Sequence, residues 1–172
     1  MQESSGDTYK FGPWPIEPSE VFAESKHCFA FVNLKPILPG HVLVSTKRVV
    51  SRFTSLESEE VADLWTLAQM VGEKLEKFHN ATSLTLTIQD GPEAGQTVPH
   101  VHIHVLPRKG GDFENNDEIY DAIDHASEDV VKQMASSGTE RKKNLDEDRK
   151  PRTREEMSEE AGAYKKLFGE DC

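Results

Sequence analysis

The sequence has few cysteines and no long apolar run. Cys28 and Cys172 are the two cysteines among 172 residues, which are too few for a disulfide framework. No stretch of about 18 consecutive apolar residues is present, so we expect no membrane-spanning helix and no membrane partner. The start of the chain also lacks the basic and apolar segments of a secretion signal. Together these absences predict an intracellular protein, cytoplasmic or also nuclear.

Net positive charge is absent as well. The formal net charge is −11 at pH 7, and residues 112–139 carry eight acidic side chains against one basic side chain. Binding to nucleic acid depends on Lys and Arg side chains that neutralise phosphates, so this balance argues against a nucleic-acid partner. A small anionic ligand remains compatible with it, because the backbone amides of a loop can hold phosphate oxygens without a basic side chain.

Periodic apolar residues predict one α+β domain. Alternating or fully apolar segments predict strands at residues 28–33, 41–46, 83–89 and 100–106. Short connections between consecutive strands favour an antiparallel sheet. Residues 59–79 are predicted to form a long helix with Ser58 as its N-cap. Its core face is assigned to Val61, Leu64, Trp65, Ala68, Val71, Leu75 and Phe78.

Changes in composition divide the chain into four segments. These are a flexible tail (1–8), the main domain (9–113), a flexible acidic and mixed-charge insertion (114–151) and a C-terminal helix docked on the domain (152–172). The insertion lacks a sustained apolar period, so we expect only a short helix around Ile119 and Ile123. The last helix is predicted from a capping-box pattern at Thr153 and Glu156 and from the helical spacing of Met157, Ala161, Tyr164 and Phe168.

Three histidines alternate along one predicted strand. His100, His102 and His104 are expected on one face of the sheet, with the intervening apolar residues in the core. A solvated surface strand, a zinc site and nucleophilic catalysis at phosphorus by a neutral imidazole are all compatible with this pattern. The preceding loop favours catalysis, because its glycines and neutral polar side chains suit phosphate oxygens.

The segment that contains these histidines resembles a known family. Residues 89–109 read QDGPEAGQTVPHVHIHVLPRK, which is similar to the histidine triad family and most closely to its fragile-histidine-triad branch. The upstream stretches FVNLKP (31–36) and PGHVLV (39–44) are similar too. The resemblance covers about residues 9–125 and extends to the helix at 153–168.

The resemblance implies a fold, an activity and partners. The fold is a five-stranded antiparallel sheet with one long and one C-terminal helix, and two copies pair into one continuous sheet in a homodimer. The activity is hydrolysis of diadenosine polyphosphates, typically diadenosine triphosphate to AMP and ADP, through a covalent nucleotidyl-histidine intermediate. A divalent cation, Mg²⁺ or Mn²⁺, is expected to bind with the substrate rather than to a metal site of the protein.

The resemblance also implies roles for individual residues. His102 is the nucleophile, His100 orients it through its backbone carbonyl, and His104 contacts phosphate and assists the leaving group. The expected substrate contacts are Gln89, Gly95, Gln96, Thr97 and Val98 at the phosphates, Asn33 at the ribose, and His41, Phe11 and Trp14 near the substrate.

Three alternatives stay open at this point. The same intermediate on His102 would serve hydrolysis of adenylyl sulfate, or transfer of the adenylyl group to phosphate instead of water. A nucleotide-dependent signalling protein is suggested by the acidic insertion. A metal-binding protein is the third alternative, because imidazoles are frequent zinc ligands.

Overall fold

Seven strands and three α-helices make up the part of the chain that the computed structural model describes, residues 8–135 and 151–169. The strands are β1 (Tyr9–Phe11), β2 (Trp14–Ile16), β3 (Val21–Glu24), β4 (Cys28–Val32), β5 (Val42–Thr46), β6 (Ser83–Thr87) and β7 (His102–Arg108). The helices are α1 (Ser58–Phe78), α2 (Glu118–Ala135) and α3 (Arg154–Phe168). Residues 1–7 of the predicted tail and residues 136–150 of the predicted insertion lie outside the described residues.

Five strands form one sheet in the order β3-β4-β5-β7-β6. All neighbouring strands are antiparallel, which confirms the predicted α+β class and sheet type. The strands β1 and β2 form a separate antiparallel hairpin. None of the four strands predicted from the apolar pattern includes this segment.

The period-2 alternation of strand side chains gives the sheet two apolar faces. One face packs against α1 and α3 through small and branched residues: Ala30, Val32, Val42, Val44, Ile103 and Val105. The opposite face packs against the hairpin through larger residues: Phe29, Phe31 and Leu43 of the sheet with Phe11 and Ile16 of the hairpin. The side chains of His102 and His104 alternate with Ile103 and Val105, so they lie on the hairpin side.

The long helix α1 occurs where the sequence predicts it, but its cap and its buried face differ. Glu57 is the N-cap, and its backbone N–H donates to the Glu60 carboxylate at 2.9 Å, so the assignment of the cap to Ser58 was wrong. Trp65 and Phe78 are 38% and 45% exposed, which corrects their place on the core face. The buried stripe instead includes Leu67, because the face toward the sheet centres on Leu64, Leu67, Ala68, Val71 and Leu75.

The helix α2 is much longer than the sequence indicated. It spans 18 residues, whereas only a short helix was expected there. Ile119 and Ile123 are buried against Leu106 of β7, and Ala126 is buried one turn further on. These three residues form a short buried stripe on one face of α2. Packing of such a stripe supplies most of the stability of helices in proteins.

The helix α3 confirms the prediction for the end of the chain. The Thr153 hydroxyl accepts from the backbone N–H of Glu156, and the Glu156 carboxylate accepts from the backbone N–H of Thr153. The four predicted apolar residues of this helix are buried. Arg152, just before the cap, donates to the backbone carbonyl of Asn33, which connects this end of the chain to the segment after β4. None of the described helices combines the length and apolarity needed to cross a membrane.

Candidate active site

The pairing of β5 with β7 brings four histidines together. His104 lies opposite Leu43 and His102 lies opposite Ser45 in the register of the two strands. His41 directly precedes β5, and His100 lies in the loop that enters β7. The side chains of His41, His100, His102 and His104 are at most 5% exposed, so each buried ring nitrogen needs a partner or a ligand.

His100 is held on both sides of its ring. The Gly12 backbone N–H donates to His100 Nδ1 at 3.0 Å, so this nitrogen carries no proton. The proton is therefore on Nε2, which donates to the Thr46 carbonyl at 2.8 Å. His100 precedes β7, so it is not part of the strand as predicted, but its ring lies on the hairpin side with His102, at a centroid distance of 5.9 Å from Phe11.

The backbone of His100 in turn orients His102. His102 Nδ1 lies 2.7 Å from the His100 carbonyl oxygen. A carbonyl only accepts, so the proton of His102 is on Nδ1 and its Nε2 presents a lone pair. The orientation of this ring therefore depends on backbone groups and on the loop before β7.

A second chain of hydrogen bonds fixes the proton of His104. The Ile37 backbone N–H donates to His41 Nδ1 at 3.2 Å. His41 Nε2 therefore carries the proton and donates to His104 Nδ1 at 3.0 Å. This leaves an N–H on His104 Nε2, a buried atom without a hydrogen-bond partner among the described residues.

Burial keeps these imidazoles neutral at physiological pH. Loss of solvation lowers the pKa of His102 to about 4, against an opposing contribution from its hydrogen bond to the His100 carbonyl. Burial, reinforced by the nearby His102 and His41, holds the pKa of His104 well below its usual value. Burial also lowers the pKa of His100. Neutral His102 is a nucleophile, and neutral His104 is a hydrogen-bond donor.

His102 and His104 line a small cavity on the hairpin side of the sheet. Its volume is about 20 Å³, room for about one water molecule. The edge of Phe11 meets the His102 ring at a centroid distance of 4.9 Å. The other lining residues are Asn33, His41, Leu43, Thr97, Val98, Ala126 and Ser127. We call this space the histidine cavity.

A larger apolar cavity adjoins the histidine cavity. Its volume is about 140 Å³, and it shares Phe11, Asn33 and Leu43 with the histidine cavity. Its other apolar walls are Pro15, Ile16, Phe31, Val32, Leu34 and Met157, and the charged residues Glu17, Glu20 and Arg154 line the rest. Asn33 therefore lies at the junction, where its side-chain Oδ1 accepts from the backbone N–H of Lys35 at 3.0 Å. The two cavities together suit a ligand with an apolar ring at one end and an electrophilic centre at the other.

The loop between β6 and β7 lies beside the histidine cavity. Gly91 and Gly95 adopt φ angles of 101° and 90°, which favour glycine. Gln96 braces the loop, since its Oε1 accepts from the Gly91 backbone N–H and its Nε2 donates to the Ser51 carbonyl, both at 2.8 Å. The Gln89 side-chain amide donates to the Asp124 carboxylate of α2.

The structure brings most, but not all, of the predicted site residues to the histidine cavity. Those that line it are Phe11, Asn33, His41, Thr97, Val98, His102 and His104. Those outside its lining are Trp14, Gln89, Gly95, Gln96 and His100. Trp14 packs instead against the apolar cluster between hairpin and sheet, and it lines neither of the two cavities described above.

Sequence reasoning missed the contribution of α2. Ala126 and Ser127 line the histidine cavity, and the Thr97 hydroxyl donates to the Ser127 carbonyl at 3.1 Å. The spacing of Ile119, Ile123 and Ala126 was the available signal for this helix. The hydrogen bond from Gly12 had no signal in the sequence, because it joins residues 88 positions apart.

The described residues offer no ligand set for a resident metal ion. Within residues 8–135 and 151–169, no group of three or more His, Cys, Asp or Glu side chains is placed to hold one. Four imidazoles are close together, but hydrogen bonds with protein groups occupy Nδ1 of His102 and of His104 and both ring nitrogens of His100.

An antiparallel five-stranded sheet with neutral histidines at a buried cavity defines a histidine triad domain. The family model of the HIT domain matches residues 16–111, and the chain belongs to this family. It is 56% identical over 98% of its length to the Arabidopsis thaliana bifunctional bis(5'-adenosyl)-triphosphatase/adenylylsulfatase FHIT, of which it covers 88%. It is 45% identical over 95% of its length to the bis(5'-adenosyl)-triphosphatase of Dictyostelium discoideum, and it covers 95% of that protein.

A solved structure agrees with this assignment. The crystal structure of Plasmodium falciparum diadenosine triphosphate hydrolase in complex with Cyclomarin A superposes with a TM-score of 0.61 at 34% identity. The match covers 78% of this chain and 91% of the Plasmodium chain. The resemblance to the fragile-histidine-triad branch is therefore confirmed by relatives that match most of both chains.

Proposed function

We propose that this protein hydrolyses diadenosine polyphosphates and splits diadenosine triphosphate into AMP and ADP. The observation that carries the proposal is the pair of oriented neutral histidines, with a lone pair on His102 Nε2 and an N–H on His104 Nε2 at one cavity. The names of the Arabidopsis and Dictyostelium relatives support the choice of substrate.

The two cavities suggest how the substrate is oriented. The apolar cavity suits a purine base, because Ile16, Phe31 and Leu43 offer apolar walls. We assign Asn33, which lines both cavities, to the ribose and the histidine cavity to the α-phosphate. This order places the phosphorus next to His102, as nucleophilic attack requires.

The reaction proceeds in two displacements on this geometry. His102 Nε2 attacks the α-phosphorus, an N–P bond forms, and the P–O bond to the departing ADP breaks. The His102 ring then carries positive charge, which its Nδ1–H shares with the His100 carbonyl. The His104 Nε2–H donates to a phosphate oxygen as negative charge shifts to the leaving group. Water next attacks phosphorus and loses a proton to solvent, the N–P bond to His102 breaks, and AMP leaves.

A divalent cation, Mg²⁺ or Mn²⁺, is proposed to arrive with the phosphates. The described residues do not form a cage for such an ion, and phosphate oxygens are ligands that Mg²⁺ prefers. In this proposal the ion neutralises the polyphosphate, and the chain's own residues supply the nucleophile and the hydrogen-bond donors.

Adenylyl sulfate is a second proposed substrate. The Arabidopsis relative is named an adenylylsulfatase as well as a triphosphatase. Attack by His102 on adenylyl sulfate forms the same intermediate, with sulfate as the leaving group in place of ADP. Rates measured side by side on the two substrates, each in water and with added phosphate, determine the preferred leaving group and acceptor.

We also infer that the protein is a homodimer, since the β6 edge of the sheet is unpaired within the described chain. The cytoplasmic location stays a prediction from the sequence.

Product analysis after incubation with diadenosine triphosphate tests the main proposal. Wild-type protein is expected to yield AMP and ADP in equal amounts. His102→Asn is expected to lose turnover by orders of magnitude while it still binds the substrate, because it lacks the nucleophile. His125→Asn, at an exposed histidine of α2, is the matched control and is expected to keep activity. Untouched substrate with folded wild-type protein, or normal turnover by His102→Asn, contradicts the proposal.

A further inference from the structure

The contact between α2 and the loop before β7 bears on substrate binding, which rests on the function proposed above. Gln89 and Gly95 are expected to contact substrate phosphate, yet neither lines the histidine cavity. Instead, the side-chain amide of Gln89 donates to the carboxylate of Asp124. A protein carboxylate therefore takes the hydrogen-bond donor that a phosphate oxygen needs.

The same carboxylate lies directly over the backbone of Gly95. A Cβ atom placed on Gly95 would come within 2.6 Å of Asp124 Oδ1 and of Gln89 Nε2. An anionic ligand that approaches the Gly95 backbone thus meets the Asp124 carboxylate first. The neighbouring acidic residue Asp121 is exposed on the same helix as well, but Asp124 is the residue that accepts from Gln89 and approaches Gly95.

The helix α2 also limits the space at the reactive histidines. Ala126 and Ser127 form part of the lining, and the Thr97 hydroxyl donates to the Ser127 carbonyl at 3.1 Å. The remaining volume of about 20 Å³ holds about one water molecule, which is smaller than a phosphoryl group. The helix α2 therefore forms one wall of the space that a substrate phosphate enters.

We propose that Asp124 determines how strongly this site binds phosphate, because its carboxylate and a substrate phosphate compete for the Gln89 amide and for the space over Gly95. Bound substrate displaces the Asp124 contact, and that displacement weakens binding of every ligand that carries a phosphate. A ligand without phosphate fills only the apolar cavity and leaves the contact intact. Asp124 is thus a specificity-determining residue, and its effect is on substrate affinity rather than on the chemical step.

The experiment compares wild-type protein with Asp124→Asn and Asp121→Asn. Both substitutions remove one negative charge from exposed positions of the same helix, but only the first is at the contact. Dissociation constants are measured by calorimetry for AMP and for adenosine, which lacks the phosphate. Asp124→Asn is expected to bind AMP about tenfold more tightly, as expected for loss of a competing hydrogen bond with a charged group, and to bind adenosine as the wild type does. Asp121→Asn is expected to match the wild type for both ligands.

Turnover of diadenosine triphosphate gives a second readout. Asp124→Asn is expected to lower KM by a similar factor and to leave kcat unchanged. Unchanged or weaker AMP binding by Asp124→Asn overturns the inference, since the carboxylate then has no effect or helps to position Gln89. Equal tightening for adenosine also overturns it, because the substitution then opens the site in general. Asp124→Ser is measured in the same way if circular dichroism shows that the asparagine variant is not folded.

These outcomes separate the inference from the proposed function. Wild-type protein that binds AMP but leaves diadenosine triphosphate intact contradicts the proposed function alone, and the AMP comparison still decides the role of Asp124. Normal hydrolysis with identical AMP affinities for wild type and Asp124→Asn contradicts the inference alone. Failure of wild type and variants to bind AMP contradicts both.

Discussion

The two cavity histidines are oriented by groups that have only one hydrogen-bonding role. The His100 carbonyl can only accept, so His102 carries its proton on Nδ1. The Ile37 backbone N–H can only donate, so His41 carries its proton on Nε2 and donates it to His104 Nδ1. The proton of His104 is therefore on Nε2. Two chemically identical side chains thus present opposite functions to the ligand. Main-chain groups determine the difference, and a residue-by-residue reading of the side chains alone misses it.

The pH dependence of the reaction follows from the protonation state of His102. Only neutral His102 has the lone pair for attack, and burial lowers its pKa to about 4. Activity that depends on the neutral form is present above this pKa and is lost as the pH falls through it. We expect kcat/KM to stay level from pH 7 down to about pH 5, and to decrease by half near pH 4.

The measurement is kcat/KM for diadenosine triphosphate between pH 3.5 and 8 in buffers of constant ionic strength. Tryptophan fluorescence at each pH serves as the control for unfolding, since Trp14 and Trp65 both report on the fold. A loss of activity centred near pH 6.5, the usual pKa of histidine, with the protein still folded, contradicts the assignment of a buried neutral nucleophile.

At the scale of elements, the sequence predicted those whose signal is local and periodic. The sequence predicted the alternating side chains of β7, and it predicted the buried face and the N-cap of α3. Each of these features depends on residues a few positions apart. The sequence indicated a short helix around Ile119 and Ile123, but neither the full length of α2 nor the β1–β2 hairpin was predicted. The length of α2 depends on packing of Ile119 and Ile123 on Leu106, and the hairpin turn is connected to the site by a hydrogen bond from Gly12 to His100. Both are contacts between distant segments, which no local pattern encodes.

The hairpin turn contributes to the position of His100. Gly12 has a φ angle of 59°, and an added Cβ would lie 2.8 Å from Val98 Cγ1. Gly12→Ala therefore introduces strain at a residue with left-handed backbone conformation, which costs about 1–2 kcal/mol. It also introduces a steric clash with Val98 in the loop that precedes His100. We expect lower stability and also a lower kcat, because the turn positions His100 and, through it, His102.

Gly111→Ala is the matched control for the hairpin variant. Gly111 also has a positive φ angle, 81°, but no atom lies within 4 Å of an added Cβ. Urea unfolding is expected to show a backbone cost of about 1–2 kcal/mol for this variant, whereas kcat is expected to remain at the wild-type value. Equal kcat values for the two variants contradict a positioning role for the Gly12 turn.

At the scale of the whole molecule, the two edges of the sheet differ in how well they are protected. The β3 edge has an irregular register between Val21 and Ala23 and carries Glu24, whose carboxylate pairs with Lys47 at 3.2 Å. Irregular register and charge both discourage pairing with another strand. The β6 edge, Ser83–Thr87, has neither charge nor bulge, and Leu86 is 39% exposed. An edge of this kind is suited to pair with a second copy of itself.

The assembly prediction follows from the unprotected β6 edge. Wild-type protein is expected to sediment at twice the 19.3 kDa mass of the chain, with the β6 strands of two copies adjacent. Leu86→Lys places a charge at this edge without disturbing the core, so it is expected to sediment as a monomer. Tyr120→Lys is the matched control, because Tyr120 is a 52% exposed apolar residue of α2, and it is expected to stay dimeric. A monomeric wild type contradicts the dimer, whereas a dimeric Leu86→Lys contradicts only the choice of edge.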